Sequence, residues 1–145
     1  MTATAFAHVG LAARDMRVTE QFYAKHFGFR RARVVPVGDE EILFLKTAGG
    51  DLCLEIFKSS EEPPAPPVMG DGPMFPGFRH LAFQVDSVDE KLKEMGEEAV
   101  VTQGPMDFDA FIPGWRTVWV SDPDGRIVEI SQGYTDQEDP PPTPG

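Results

Sequence analysis

The chain repeats itself. One stretch opens at His8-Val9-Gly10-Leu11 and a second at His80-Leu81-Ala82-Phe83, and the landmarks that follow fall at matched distances. Asp15 lies seven residues after His8, and Ser87 lies seven after His80. Glu55 comes 47 residues after the first histidine and Glu129 comes 49 after the second. Gly50-Asp51-Leu52-Cys53-Leu54-Glu55-Ile56 aligns with Asp124-Gly125-Arg126-Ile127-Val128-Glu129-Ile130. An internal duplication limits the fold to two copies of one supersecondary unit.

Each copy reads as β-α-β-β-β. In the first, Phe6–Leu11 is a strand, Asp15 caps a helix running through Phe27, and Gly28 stops it. Met16, Tyr23 and Phe27 give that helix its apolar face. Strands follow at Arg31–Val37, Glu41–Lys46 and Asp51–Phe57, the last two joined at Ala48-Gly49-Gly50. In the second copy Phe78–Val85 is a strand, and Ser87-Val88-Asp89-Glu90 is a capping box. Val88, Leu92 and Met95 face inward, and Gly96 ends the helix. Strands follow near Ala99–Thr102, Trp115–Ser121 and Arg126–Ser131, with a type I turn at Asp122-Pro123-Asp124-Gly125. The expected organisation is therefore a first module over residues 1–57, a connector over 58–77, a second module over 78–133 and a disordered acidic, proline-rich tail over 134–145. The connector, with Pro63, Pro64, Pro66, Pro67, Pro73 and Pro76, cannot form a central strand or a helix interior. It is either a plain linker or a flap beginning just after Glu55 and ending just before His80.

The bulk properties exclude whole classes. A net charge of −11 disfavours nucleic acid as a partner. No apolar run is long enough to span a membrane, and the start MTATAFAHVG lacks the charged and apolar regions of a signal peptide. One cysteine, Cys53, leaves no intrachain disulfide and is consistent with a reducing, cytoplasmic setting. The expected partner is a small molecule.

Strand alternation assigns the faces. Val9 and Leu11, Leu52 and Leu54, Leu81 and Phe83, and Val128 and Ile130 point toward the helices. His8, Glu55, His80 and Glu129 point the other way, toward the concavity of a curved sheet, among Phe6, Cys53, Phe57, Phe78 and Ile127. Carboxylates in apolar company are costly unless paired, protonated or bound to metal. Two imidazoles and two carboxylates suit Ni, Co or Zn, and also Mn or Fe(II), with two positions of a six-coordinate ion left for water or substrate. Of the remaining candidates, Cys53 reads as a buried inert thiol. His26, the third histidine, reads as a surface residue favoured by the helix C-terminus.

The segments HVGLAARDM, FYAKHFGF, LCLEIF, GFRHLAFQVDSVDE and VSDPDGRIVEI resemble the vicinal oxygen chelate superfamily, over roughly Phe6 to Gln132. That superfamily includes glyoxalase I, methylmalonyl-CoA epimerase, extradiol dioxygenases and the fosfomycin and bleomycin resistance proteins. The resemblance implies an α+β fold in which two tandem βαβββ modules form an open, mostly antiparallel barrel around a metal, usually in a homodimer. His8, Glu55, His80 and Glu129 match the His, Glu, His, Glu of bacterial-type glyoxalase I. By that resemblance the protein is a metal-dependent lyase or isomerase, like lactoylglutathione lyase. The metal chelates vicinal oxygens of the substrate and stabilises an enediolate. Glu129 moves the proton, and Glu55 is the second candidate. The match departs where glyoxalase I holds a glutathione carboxylate with an arginine soon after the first histidine. Here Val9–Ala13 is apolar, with Arg14 beyond it, and Arg79 and Arg116 are the other cations that could take that arginine's place. The rival activities are an Fe(II) extradiol-type dioxygenase using His8, His80 and Glu129, and a non-catalytic binder of a bulky cationic drug.

Overall fold

The computed structural model describes residues 2–65, 70–71 and 76–144. Two compact units emerge, each built on a four-stranded sheet. The first contains β1 (Val9–Ala13), α1 (Met16–Phe27), β2 (Arg30–Val37), β3 (Glu40–Lys46) and β4 (Cys53–Lys58). The second contains β5 (His80–Gln84), α2 (Val88–Met95), β6 (Val100–Asp107), β7 (Arg116–Ser121) and β8 (Ile127–Gln132), with a 3-10 turn at Gly96–Glu98 after α2. The sheet orders are β1-β4-β3-β2 and β5-β8-β7-β6, so the duplication extends to topology. In each sheet the first strand runs parallel to the last, and the other pairs are antiparallel. The ladders remain two separate four-strand sheets and do not close into a barrel. Among the described residues no helix is long and apolar enough to cross a membrane.

Local sequence explains the elements. Asp15 accepts from the backbone N–H groups of Arg17 and Val18, satisfying two of the donors a helix start leaves open. Gly28 ends α1 in the left-handed region at φ 72°, where a side chain would be strained. Ser87 caps α2 through the N–H of Glu90. Leu43, Leu45, Leu54 and Ile56 are fully buried in the first unit, as are Val118, Val120, Val128 and Ile130 in the second. They form the cores that alternation requires.

Three expectations need correction. The first strand begins at Val9, not Phe6, and the fifth at His80, not Phe78. A strand extends only as far as its partner, and the first pairs formed are Val9 with Leu54 and His80 with Ile127. The buried face of α1 is Thr19, Phe22, Tyr23 and His26, rather than Met16, Tyr23 and Phe27. Finally, His26 is buried, not a surface residue, and it packs edge-on against Phe22 with ring centroids 5.0 Å apart. Positions 19, 22, 23 and 26 form one stripe at helical spacing. Counting apolar residues alone misses it because threonine and histidine occupy two of its places.

The turn between β7 and β8, Asp122–Arg126, belongs to the first unit. It closes through Gly125 N–H to the Asp122 carbonyl at 3.0 Å, as a type I turn should. The Asp122 carboxylate accepts from the Tyr23 hydroxyl at 2.7 Å, from Arg126 at 2.8 Å, and from the backbone N–H groups of Asp124 and Arg126. Burial, with the Asp122 charge beside it, pushes the Tyr23 hydroxyl well above its ordinary range. Asp124 accepts from Thr19 at 2.8 Å and from Arg14 N–H at 3.0 Å, and pairs with Arg126. Burial alone would raise the Asp124 pKa, but the Arg14 amide, the Thr19 hydroxyl and the Arg126 charge outweigh it and hold the carboxyl below its ordinary 3.8. A depressed folded pKa supplies stability above the unfolded value and loses it as pH falls through the folded one. Urea midpoints of the wild type and Asp124→Asn, measured from about pH 2 to pH 6, are therefore expected to converge as pH drops below the ordinary carboxylate range. A constant gap across that range would exclude the ionised Asp124 as its source.

Candidate functional site

Each module brings its own histidine and glutamate together. In the first, the register sets Glu55 opposite Gly10, where a side-chain carbon would meet the carboxylate at ordinary contact distance. A Cβ at Gly10 would lie 3.7 Å from Glu55 Oε1. His8 stands just ahead of β1, with its Nε2 3.7 Å from Glu55 Oε2 and its ring edge-on to Phe44 at 5.8 Å. In the second, Glu129 lies opposite Ala82, and His80 Nε2 is 3.5 Å from Glu129 Oε1. The second pair is the drier. Its side chains are 21% and 19% exposed, against 38% and 24% for the first.

His80 is oriented by the connector. Its Nδ1 lies 2.8 Å from the Asp71 carbonyl, which can only accept, so Nδ1 carries a proton, and in the neutral imidazole Nε2 is left as the free nitrogen on the side of Glu129. A backbone carbonyl fixing the far nitrogen is the usual support for a ligating imidazole. Thr102 donates to the neighbouring Gly70 carbonyl at 2.6 Å, so these connector residues are fastened to the second unit. Pro66, Pro67 and Pro73 of the connector lie outside the described residues.

The pairs fit a metal by their donor chemistry. At 3.5 and 3.7 Å they are too long for good hydrogen bonds. An imidazole lone pair facing a carboxylate oxygen repels it unless a proton or a cation sits against both. Two ligands each about 2.0–2.2 Å from one ion lie roughly 3.0–3.7 Å apart across ordinary coordination angles. The structure brings the four side chains together as two pairs. Among the described residues no group of three or more His, Cys, Asp or Glu is placed to hold a metal ion.

Of the other site candidates, Cys53 is a buried free thiol and Ile127 is buried, while Phe57 is partly exposed. Phe6 and Phe78 do not share the strand faces assigned to them. They precede β1 and β5 and are 74% and 99% exposed. Arg14, Arg79 and Arg116 are committed elsewhere. Arg14 pairs with Glu62 and Asp124, Arg79 with Asp71, and Arg116 with Asp107 and Asp89.

Register exposes two residues that sequence reading missed. Phe44 pairs with Glu55, and Trp119 pairs with Glu129, so an aromatic ring flanks each glutamate on the same face. Trp119 is 5% exposed, and its buried indole N–H has no partner among the described residues. The signal was available in outline: Phe44 and Trp119 precede their glutamates by nearly equal intervals in the two copies.

Two tandem βαβββ modules, each with its own His–Glu pair, define a duplicated protein. The chain belongs to the Glyoxalase/Bleomycin resistance protein/Dioxygenase superfamily, whose family model matches residues 5–130. It is similar to the uncharacterized protein YwkD of Bacillus subtilis, 27% identical over 85% of this chain and 92% of that one. It is also similar to a probable trivalent organoarsenical cleaving enzyme of the same organism, 28% identical over 86% of this chain and 77% of that one. Among solved structures it shares its fold with the fosfomycin resistance protein FosX of Listeria monocytogenes complexed with Mn(II) and sulfate. The TM-score is 0.62 with 18% identity, over 92% of this chain and 95% of that one.

Proposed function

We propose that the protein is a divalent-metal-dependent lyase or isomerase of the glyoxalase I type, with His8, Glu55, His80 and Glu129 as its ligands. The observation that carries this is the duplicated placement of an imidazole nitrogen against a carboxylate oxygen, at 3.7 and 3.5 Å, too far for a good hydrogen bond. The ligands come from two modules, of one chain or of two copies in a homodimer. When bound, the ion would polarise a substrate carbonyl, hold an adjacent oxygen and stabilise the enediolate that forms as a proton leaves the neighbouring carbon. Glu129 takes and returns that proton, and Glu55 is the second candidate. Asp71 keeps His80 in the tautomer that leaves Nε2 unprotonated. Trp119, across from Glu129 and buried, excludes water beside it.

Elemental analysis of gently purified protein tests this reading. About one equivalent of Ni, Co, Zn or Mn per chain is expected, falling sharply in His80→Ala. Mn belongs in the test because the FosX structure holds it. Dominant iron with oxygen uptake would instead favour the dioxygenase. No metal, and none taken up from added divalent ions, would leave a ligand-binding protein.

A further inference from the structure

The first sheet carries a β-bulge that turns an arginine toward the glutamate face. Arg31 pairs with Leu45 and Arg33 with Phe44, so two residues of β2 are spent between adjacent residues of β3, with Ala32 as the extra one. Without that bulge Arg31 and Arg33 would share a face. Arg31 does face the helix, where it pairs with Glu20 at 2.5 Å. Arg33 is thereby aimed the other way, into the row Arg33–Phe44–Glu55–Gly10 that runs across four strands. Arg30 pairs with Lys46, and Lys46 pairs with Cys53, so two further cations share that face one step along.

The second module repeats the device. Its register slips between Val101 and Gln103, and Gln103 then lies in the row Gln103–Trp119–Glu129–Ala82. Both copies thus keep a bulge that delivers a polar side chain two strands from the glutamate. Only the first copy makes that side chain a cation. Arg33, Arg30 and Lys46 enter none of the described ion pairs, although the chain has 24 acidic residues against 13 lysines and arginines. Strands spaced about 4.8 Å apart place β2 roughly 10 Å from β4, a gap that an arginine side chain largely spans.

We infer that the substrate carries an oxyanion group, a carboxylate or a phosphonate, beyond its metal-chelating oxygens, and that Arg33 is the residue that selects it. Arg30 and Lys46 add to the field. This rests on the metal-centred reading above and names the substrate class for it. It also supplies the anion-binding cation that Arg14, Arg79 and Arg116 cannot, since each is engaged with carboxylates.

Three hydroxamates test it on the Co(II)-loaded protein. Acetohydroxamate is a bidentate chelator with no added charge, N-hydroxysuccinamate adds a carboxylate, and phosphonoacetohydroxamate adds a phosphonate. Affinity is read from the visible spectrum of the metal and from titration calorimetry. At least one anionic probe is expected to bind about tenfold or more tighter than acetohydroxamate, as a charge-assisted arginine contact implies. The tighter of the two identifies the anion. Arg33→Gln is expected to abolish the preference while leaving Co(II) stoichiometry and acetohydroxamate affinity unchanged. Arg33→Lys should retain part of it, because a point charge lacks the arginine fork. Arg17→Gln, which removes the same charge from α1, should retain all of it. Equal binding of all three probes, or a preference that survives Arg33→Gln, would overturn the inference and leave the metal reading standing. Failure of the wild type to bind Co(II) would overturn the metal reading and this inference with it.

Discussion

Glu129→Gln is expected to lower turnover about 10²- to 10⁴-fold, the range a positioned general base contributes. Glutamine keeps the shape and one oxygen donor but cannot accept a proton. Glu129 rather than Glu55 is assigned this role because its surroundings are drier. Its carboxylate is 19% exposed, it lies across from Trp119, and its histidine is held by the Asp71 carbonyl. The less water competes, the stronger the interaction of that carboxylate with a developing charge. The assay follows deuterium uptake from D2O into the carbon-bound position of a panel of hemithioacetals and α-keto thioesters, with metal content measured on the same samples. A large loss of exchange with metal retained in Glu129→Gln, and a smaller loss in Glu55→Gln, assigns the proton to Glu129. Loss of activity in strict proportion to loss of metal, equal in both variants, would make both residues ligands only.

Asp122→Ala is expected to destabilise the protein by about 1–3 kcal/mol, the cost of leaving a buried donor without its acceptor. The Asp122 side chain is fully buried, and it is the shared acceptor for Tyr23, Arg126 and two backbone N–H groups. Its loss leaves the buried Tyr23 hydroxyl without its acceptor and deprives Arg126 of its closest carboxylate. Asp122→Asn should cost less, because an amide oxygen still accepts from some of these donors. Urea denaturation measures both. A loss below about 1 kcal/mol for the alanine variant would place the stability of this turn in its backbone geometry rather than in the carboxylate.

The duplication, the capping residues Asp15 and Ser87, the helix-ending glycines and the alternation of Leu54-Glu55-Ile56 and Val128-Glu129-Ile130 were all legible as sequence. Each is a local rule, decided by a few neighbouring residues. The errors have local causes of another kind. His26 and Thr19 complete a buried helical stripe, but only the packing of α1 on its sheet makes a polar residue count as core. Phe6 and Phe78 look like strand residues, yet their strands begin later because pairing begins later. Arg33 was invisible for a sharper reason. Simple alternation puts Arg31 and Arg33 on one face, and a bulge, which depends on the register between two strands, separates them.

The sequence by itself determined two copies of a βαβββ unit, the family they belong to, and the histidines and glutamates that stand in equivalent places. The duplication and the equivalent places follow from periodicity and spacing, which are one-dimensional, and the family follows from the resemblance of the motif segments. Tertiary structure alone decided that Asp71 orients His80 and that Phe44 and Trp119 flank the glutamates. It also decided that Asp122 is the buried hub of a polar network and that Arg33 turns to the face of Glu55. Each of those is a relation between residues set side by side by strand register or by chain folding, and no periodicity encodes it.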